Sequence, residues 1–395
     1  MRKILFLLAI FSLLLVACGG EEEEPAAEPG AAATETPVVA VETEAVATET
    51  PAATAEPETA ATETPAAAAE PAELTVMTHD SFDASEEVLA QFEADHNVKL
   101  VLLPAGDAGT ALNQAILSRD NPLADVFYGV DNTFLSRALD ADLFESYESP
   151  LLAEVPDRFE LDDSYRMLPV DYGDVCLNYD KAWFAENEVE PPQGLDDLAD
   201  PAYKGLLVAE NPATSSPGLA FLLATIDTYG TEGDYTYLDY WADLRENDVM
   251  ITNDWNDAYY GNFTVASDGD RPIVVSYASS PPAEVIFADP PVDEAPSASV
   301  TAPGTCFRQV EFVGILHGTE RRELAKAFVD FMLSETFQED IPLKMFVFPV
   351  NENAELPEAF VQYAELSEEP ASVDPAQIDA NREQWIEAWT DTVLR

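Results

Sequence analysis

Apolar positions along this chain fall into three regimes. From Ile4 to Val16 they run without a break, and from Gly19 to about Glu73 large apolar side chains almost vanish. From Leu74 onward they recur with the two periods of secondary structure. Leu74 to Met77 is a short apolar, β-branched run, as a buried strand requires, and it breaks into the polar turn His79-Asp80-Ser81. Ser85 to Asp95 predicts a helix, with Val88, Leu89 and Phe92 at helical spacing and Glu86 and Glu87 in its first turn. Val98–Leu103 predicts a second strand, Thr110–Ser118 a second helix, and Ala124–Val130 a third strand. Strand, helix, strand, helix, strand is a parallel α/β layout.

In such sheets ligands gather where loops leave the carboxyl ends of strands. Three strands end in polar loops here, carrying His79, Asp80 and Ser81, then Asp107, then Asp131 and Asn132. Further on, Met167–Gly173 and Val175–Asn178 read as a pair of short extended runs, and Tyr203–Glu210 as a strand. The latter feeds Thr214-Ser215-Ser216 and an apolar helix from Leu219 to Tyr229. Hydroxyl side chains and free N–H groups at a helix start suit a ligand's anionic or hydroxyl group, or they merely cap the helix. Trp241 falls in a helical stretch and is expected in the core, whereas Trp255 follows a polar turn, with Tyr259 and Tyr260 close behind. Aromatics at loop starts either pack inward or form a stacking cage for a flat cation. Ile273–Tyr277 and Gln309–Leu316 predict strands, and Phe346–Val350 an extended run. Glu320–Met332 and Arg382–Leu394 predict amphipathic helices, the second turning Trp385, Ile386, Trp389 and Val393 inward.

The first two regimes are leader and tether. Arg2 and Lys3 precede an apolar run too short to favour a membrane span, so residues 1–17 predict a secretory signal. Leu15-Val16-Ala17-Cys18-Gly19 resembles a bacterial lipobox, which implies cleavage before Cys18 and a lipid on its sulfur, anchoring the protein to a membrane it does not span. Residues 18–73 are rich in Ala, Glu, Thr and Pro and cannot bury enough surface to offset chain entropy, so they predict a disordered tether.

Charge and cysteine count narrow the function of the folded region. From Leu74 on, 62 acidic residues face 16 basic ones, a formal charge of −46 that repels nucleic acid and anionic lipid surfaces, and that either attracts cationic ligands or is a solvated acidic surface suited to a salty habitat. Cys176 and Cys306 remain once Cys18 carries lipid; outside the cytoplasm they are expected to pair, the alternative being a free reactive thiol at Cys176. No Gly-rich phosphate loop, His-Glu-x-x-His, Ca²⁺ loop or nucleophile elbow occurs, so no cofactor, no metal and no catalytic group is expected. Elimination points to a binder rather than an enzyme.

Several motifs occur in an order that resembles the substrate-binding proteins of bacterial thiamine ABC transporters. They are Leu-Thr-Val-x-Thr-x-Asp-Ser-Phe at 74–82, Ala-Asp-Val at 124–126 with Asp131-Asn132, Asp171-Tyr172-Gly173, Thr214–Leu219, Trp255 with Tyr259, and Ser276-Tyr277-x-x-Ser280-Pro281. The resemblance implies an α/β, two-lobed type II periplasmic-binding-protein fold, each lobe a mixed sheet flanked by helices. Residues 74–172 and 308–350 would form one lobe, 173–307 the other, and 351–395 a C-terminal helical segment packed on both. It also implies delivery to a permease and an ATPase by a monomer. By position, Trp255 and Tyr277 would hold thiamine's rings, and Ser215 and Ser216 its hydroxyethyl or phosphate end. The loop His79–Ser81, Asp107, Asp131, Tyr172 and Phe346 would complete the ligand-binding set. His79 stands where that family usually has tyrosine, and Phe346 where it has tryptophan. The strand crossings near Tyr172–Val175 and Thr305–Gln309 place Cys176 and Cys306 beside the hinge.

Two alternatives remain from the residues. A thiaminase-like enzyme on the same fold would use Cys176 as a free nucleophile, with Asp174 as its base. The other is a receptor for another cation, a polyamine or ferric ion; iron sites in related receptors lean on tyrosine pairs and would not need Trp255.

Overall fold

The computed structural model describes residues 71–395; Cys18, the signal segment and most of the tether lie outside them. Eleven strands share one mixed sheet: β1 Ala72–Thr78, β2 Val98–Pro104, β3 Val126–Asp131, β4 Phe144–Glu145, β5 Leu168–Asp180, β6 Leu207–Glu210, β7 Met250–Thr252, β8 Ile273–Tyr277, β9 Ser297–Val300, β10 Phe307–Leu316 and β11 Phe348–Pro349. Their order is β2-β1-β3-β10-β5-β8-β6-β7, with β4 on β10 and with β9 and β11 on β5. On one side β1 runs parallel to both β2 and β3, pairing Leu74 with Leu100 and Val76 with Val126. On the other, β6 runs parallel to β7 and β8. Between these halves the antiparallel pair β5/β10 is the seam, matching Glu311 with Asp171 and Phe307 with Val175.

The expected parallel layout and the helices after β1 and β2 are present, as Glu86–His96 and Ala108–Leu117. The two extended runs around Asp174 are one continuous strand of 13 residues. An aspartate is a poor strand residue, but Asp174 is fully buried and takes two bonds from Arg308 (2.7 and 2.9 Å) and one from the Ser367 N–H (2.8 Å). Those three donors satisfy the carboxylate, so nothing turns the chain there. The strand expected from Tyr203 begins only at Leu207, because Pro201 opens a 3₁₀ turn and Gly205 takes φ +73°. After β8 the chain folds into the helix Ser280–Ile286, with prolines in its first turn. The extended run expected from Phe346 shrinks to Phe348–Pro349, since Phe346 itself lies at φ +57°.

The helices Ser216–Tyr229 and Arg322–Leu333 pack on the seam strands, whose residues are almost all buried. The helix Ser216–Tyr229 is buried along its first eleven residues. Trp241 is fully buried, donates its Nε1–H to Thr225 (3.0 Å) and meets Trp389 edge to face at 5.4 Å. That contact packs the final helix, Pro375–Val393, against the helix Tyr237–Glu246. Cys176 on β5 and Cys306 just before β10 are fully buried, with Cα atoms 4.3 Å apart and sulfurs joined at 2.07 Å. A bonded, buried Cys176 has no free thiolate to attack with, which removes the enzymatic alternative. Among the described residues no helix is long and apolar enough to cross a membrane.

Candidate functional site

A cavity of about 480 Å³ opens where loops from both halves of the sheet meet over the seam. Its size falls within the usual range for small-molecule sites, roughly 300–1,000 Å³. The loop after β1 contributes His79, Asp80 and Ser81, and the turn after β2 contributes Asp107. From the other half come Ser216, Trp255, Tyr259, Tyr277 and Phe287. Glu311 lines the cavity from the seam, and Phe346 from the segment before β11.

The aromatic wall is fixed by tying off its polar ends. Trp255 stacks on Tyr259 (5.0 Å, 18°) and donates its Nε1–H to Ser276 Oγ at 3.0 Å. Tyr259 donates to Glu284 (2.8 Å) and Tyr277 to Gln309 (2.7 Å). A Cβ on Gly173 would come within 2.9 Å of the Tyr277 ring, so glycine on the seam lets that ring lie flat against it. With hydroxyls and indole N–H engaged elsewhere, the rings offer faces and edges to a ligand.

Beneath this wall lies a carboxylate floor. Tyr128 on β3 sends its hydroxyl between Asp171 (2.5 Å) and Glu311 (3.0 Å), and His79 Nε2 stands 3.7 Å from Glu311. Burial and the neighbouring Glu311 charge push Asp171 well above the usual carboxylate range. Burial also works against ionised Glu311, but the His79 charge beside it prevails and holds its pKa low. Burial opposes the imidazolium in the same way, and Glu311 outweighs it, raising His79. Burial and Glu311 thus favour the protonated form of Asp171, while His79 and Glu311 favour each other's charged forms. Gly129, at φ +109°, leaves room for the imidazole; a Cβ there would sit 2.4 Å from it.

Asp107 accepts from the N–H groups of Ala108 (2.7 Å) and Trp255 (3.2 Å), linking the two sides of the cavity. Its burial raises its pKa to about 6. Lys344 reaches Asp83 at 3.4 Å, so both basic side chains of the lining, His79 and Lys344, already face a carboxylate. Asp80 and Asp107 remain in surplus, and the net field of the cavity is negative.

Of the residues named from sequence, His79, Asp80, Ser81, Asp107, Ser216, Trp255, Tyr277 and Phe346 meet in this cavity. Three lie outside its wall. Asp131 is fully buried and occupied by Thr133 (2.7 Å) and Gln309 (2.6 Å). Tyr172 is stacked between Phe159 and Phe348, at 4.5 and 5.4 Å. Ser215 is fully buried at the foot of the helix whose first residue, Ser216, reaches the lining. Sequence reasoning does not single out Glu311, Tyr128 or Phe287. Glu311 has a signal all the same: a charged residue inside the otherwise buried strand Val310–Leu316 needs a partner or a ligand. Among the described residues no group of three or more His, Cys, Asp or Glu is arranged to hold a metal ion.

Comparison with known proteins agrees with this architecture. Residues 121–367 match the family model of bacterial extracellular solute-binding proteins. The thiamine-binding periplasmic protein of Salmonella typhimurium (strain LT2) is 32% identical over 330 residues, covering 82% of this chain and 94% of the relative. Its counterpart in Escherichia coli K12 is also 32% identical, with the same two coverages. A solved structure described as a periplasmic thiamin binding protein superposes with a TM-score of 0.71 at 29% identity, covering 82% of this chain and 96% of that one. The chain thus has the α/β periplasmic-binding-protein fold and belongs to the bacterial extracellular solute-binding proteins, in the family of the thiamine-binding periplasmic proteins.

Proposed function

We propose that this protein captures thiamine or a thiamine phosphate outside the cytoplasm and passes it unchanged to the permease and ATPase of an ABC importer. The observation that carries the reading is the pairing of a fixed aromatic wall, Trp255 with Tyr277, with a cavity of surplus negative charge. A thiazolium ring is flat and permanently cationic, and ring faces at about 0.5–2 kcal/mol per contact suit it. Asp107 supplies the nearby anion, and Ser216 a hydroxyl for the hydroxyethyl or phosphate end. The names of the relatives from Salmonella and Escherichia coli support the same ligand.

The remaining parts of the reading rest on sequence. Residues 74–172 with 308–350, and 173–307, act as two lobes that close over the ligand about the β5/β10 seam, with 351–395 packed on them. Cys18 carries the lipid that holds the receptor at the membrane. A ferric receptor built on a tyrosine pair is less well supported, because the hydroxyls of Tyr259 and Tyr277 are engaged by Glu284 and Gln309.

Calorimetry with thiamine, thiamine monophosphate, spermidine and Fe³⁺ tests the ligand. Saturable binding is expected for the first two alone, at ~1 μM or tighter, about −8 kcal/mol. Binding of spermidine or Fe³⁺ without thiamine overturns the reading. A Cys18→Ser variant is expected to leave the membrane fraction, and its retention there removes the lipid anchor.

A further inference from the structure

Among the large apolar side chains of the cavity, Phe287 stands out for its exposure, at 58%. It caps the end of the helix Ser280–Ile286, on the β8 side of the cleft. Its ring meets Phe346 edge to face, centroids 5.3 Å apart at 70°. Phe346 belongs to the opposite side, since its segment is tied to the loop after β1: Ser85 bonds Asp340 at 2.6 and 2.7 Å, and Lys344 faces Asp83. The two rings therefore touch across the mouth of the cavity.

The backbone under Phe346 points the same way. The short helix Ile341–Lys344 ends in a left-handed residue whose N–H reaches back to Ile341 O (3.2 Å). Glycine ordinarily fills such a position; a phenylalanine at φ +57° is strained there. Strained residues persist where the surrounding structure holds them and where the side chain serves a purpose. Here the strain projects a ring over the cavity and onto Phe287.

We propose that Phe287 is a retention residue, which with Phe346 forms an aromatic gate whose parting limits ligand passage in both directions. This rests on the proposed function for the identity of the ligand, but not for the gate itself. A residue that only touches bound ligand slows release and leaves capture unchanged. A gate slows both.

Stopped-flow fluorescence with thiamine separates these cases in the full folded chain. Phe287→Ala is expected to raise koff and kon together, each about three- to tenfold, the rate equivalent of one aromatic pair, with Kd little changed. Phe287→Leu should fall between, and Leu117→Ala, at an exposed site on the helix Ala108–Leu117, should match wild type. A rise in koff alone, or in neither rate, overturns the gate. A second arm needs no ligand: acrylamide quenching of the Trp255 contribution, obtained by difference from Trp255→Phe, should increase in Phe287→Ala. Should wild type not bind thiamine, the ligand assignment falls, and this arm alone decides the gate; unchanged quenching overturns it.

Discussion

The back of the cavity and its mouth are held by different kinds of bond. At the back, β5 is linked covalently to the residue just before β10, by Cys176–Cys306, and the two strands share a two-pronged ion pair from Arg308 to buried Asp174. They also carry the Asp171/Glu311 carboxyl pair bridged by Tyr128. At the mouth there are an aromatic contact, Phe287–Phe346, and an ion pair, Lys344–Asp83, whose carboxylate is mostly in water. Disulfides typically contribute about 2–4 kcal/mol, whereas an aromatic pair or a surface ion pair contributes about 1 kcal/mol or less. The difference teaches where motion is cheap. On this accounting the seam is the costlier of the two regions to rearrange, and the mouth the cheaper.

The sharpest way to break that comparison is to cut the covalent link. Replacing Cys176 and Cys306 together by serine opens a loop of separation 130 and should lower the unfolding free energy by about 4 kcal/mol, read by urea denaturation. Phe287→Ala should cost under about 1 kcal/mol in the same assay. Equal losses would erase the distinction between back and mouth. Titration of the oxidised protein should find no free thiol.

Next in size is Glu311→Ala. It strands the His79 imidazolium in a buried site and removes an acceptor from Tyr128, so a loss of about 3 kcal/mol is expected. The His79 pKa should then fall by NMR, because burial remains after its main partner is gone and only Asp107 and Asp80 are left to oppose it. In wild type the folded pKa is raised, so with Glu311 ionised the imidazolium's contribution is complete below about 6.5 and fades as pH climbs through the folded value. An unchanged His79 titration in the variant would show that the floor does not hold its charge.

How much of this is legible in the sequence depends on range. Alternation and helical spacing report the local environment, so β1, β2, β3 and the helices between them can be read, as can the loops at their ends. The binding edge comes with them: His79, Asp107 and Trp255 all follow strands. Asp174 reads as a break from sequence because its partners, Arg308 and Ser367, are 134 and 193 residues away. Asp131 follows the same loop rule as the lining residues, and Tyr172 enters through the resemblance, yet they are claimed by Gln309 and by Phe159 and Phe348. Local pattern cannot reveal which of several polar loop residues has a distant partner. The gate is invisible for the same reason, since nothing in the neighbourhood of Phe287 announces Phe346.

Asp107 links the two sides of the cavity through the Trp255 N–H, and its charge should set the pH response of binding. Its folded pKa, about 6, lies above the unfolded value. Stability from this group is therefore fully present below about pH 4 and is lost as pH rises through 6, by at most about 3 kcal/mol. Binding of a cation has the opposite sign. It favours ionised Asp107, so affinity should rise between pH 5 and 7, by up to about tenfold per unit below 6, with release of a proton. Asp107→Asn should flatten that rise, and comparing it with wild type cancels the ligand's own titration. A parallel pH profile in both proteins would exclude Asp107 as the anion that meets the ligand.

A smaller effect on binding is expected at Trp255, which stands between the two regions. Its indole is aimed from the back, by Ser276, and its edge meets the exposed ring of Tyr260 at 5.4 Å. One face is covered by Tyr259, and the ring lines the cavity. Trp255→Leu keeps apolar bulk but removes that ring, while Ser276 retains its bond to Ser280 (3.0 Å). Thiamine affinity should fall by about tenfold, the equivalent of one cation–ring contact of about 1.4 kcal/mol, with stability nearly unchanged. Trp255→Phe should recover part of the loss, since a smaller ring still offers a face. If leucine binds as well as tryptophan, the wall acts through apolar area alone, and the positive charge of the ligand is met entirely by the carboxylates at the back.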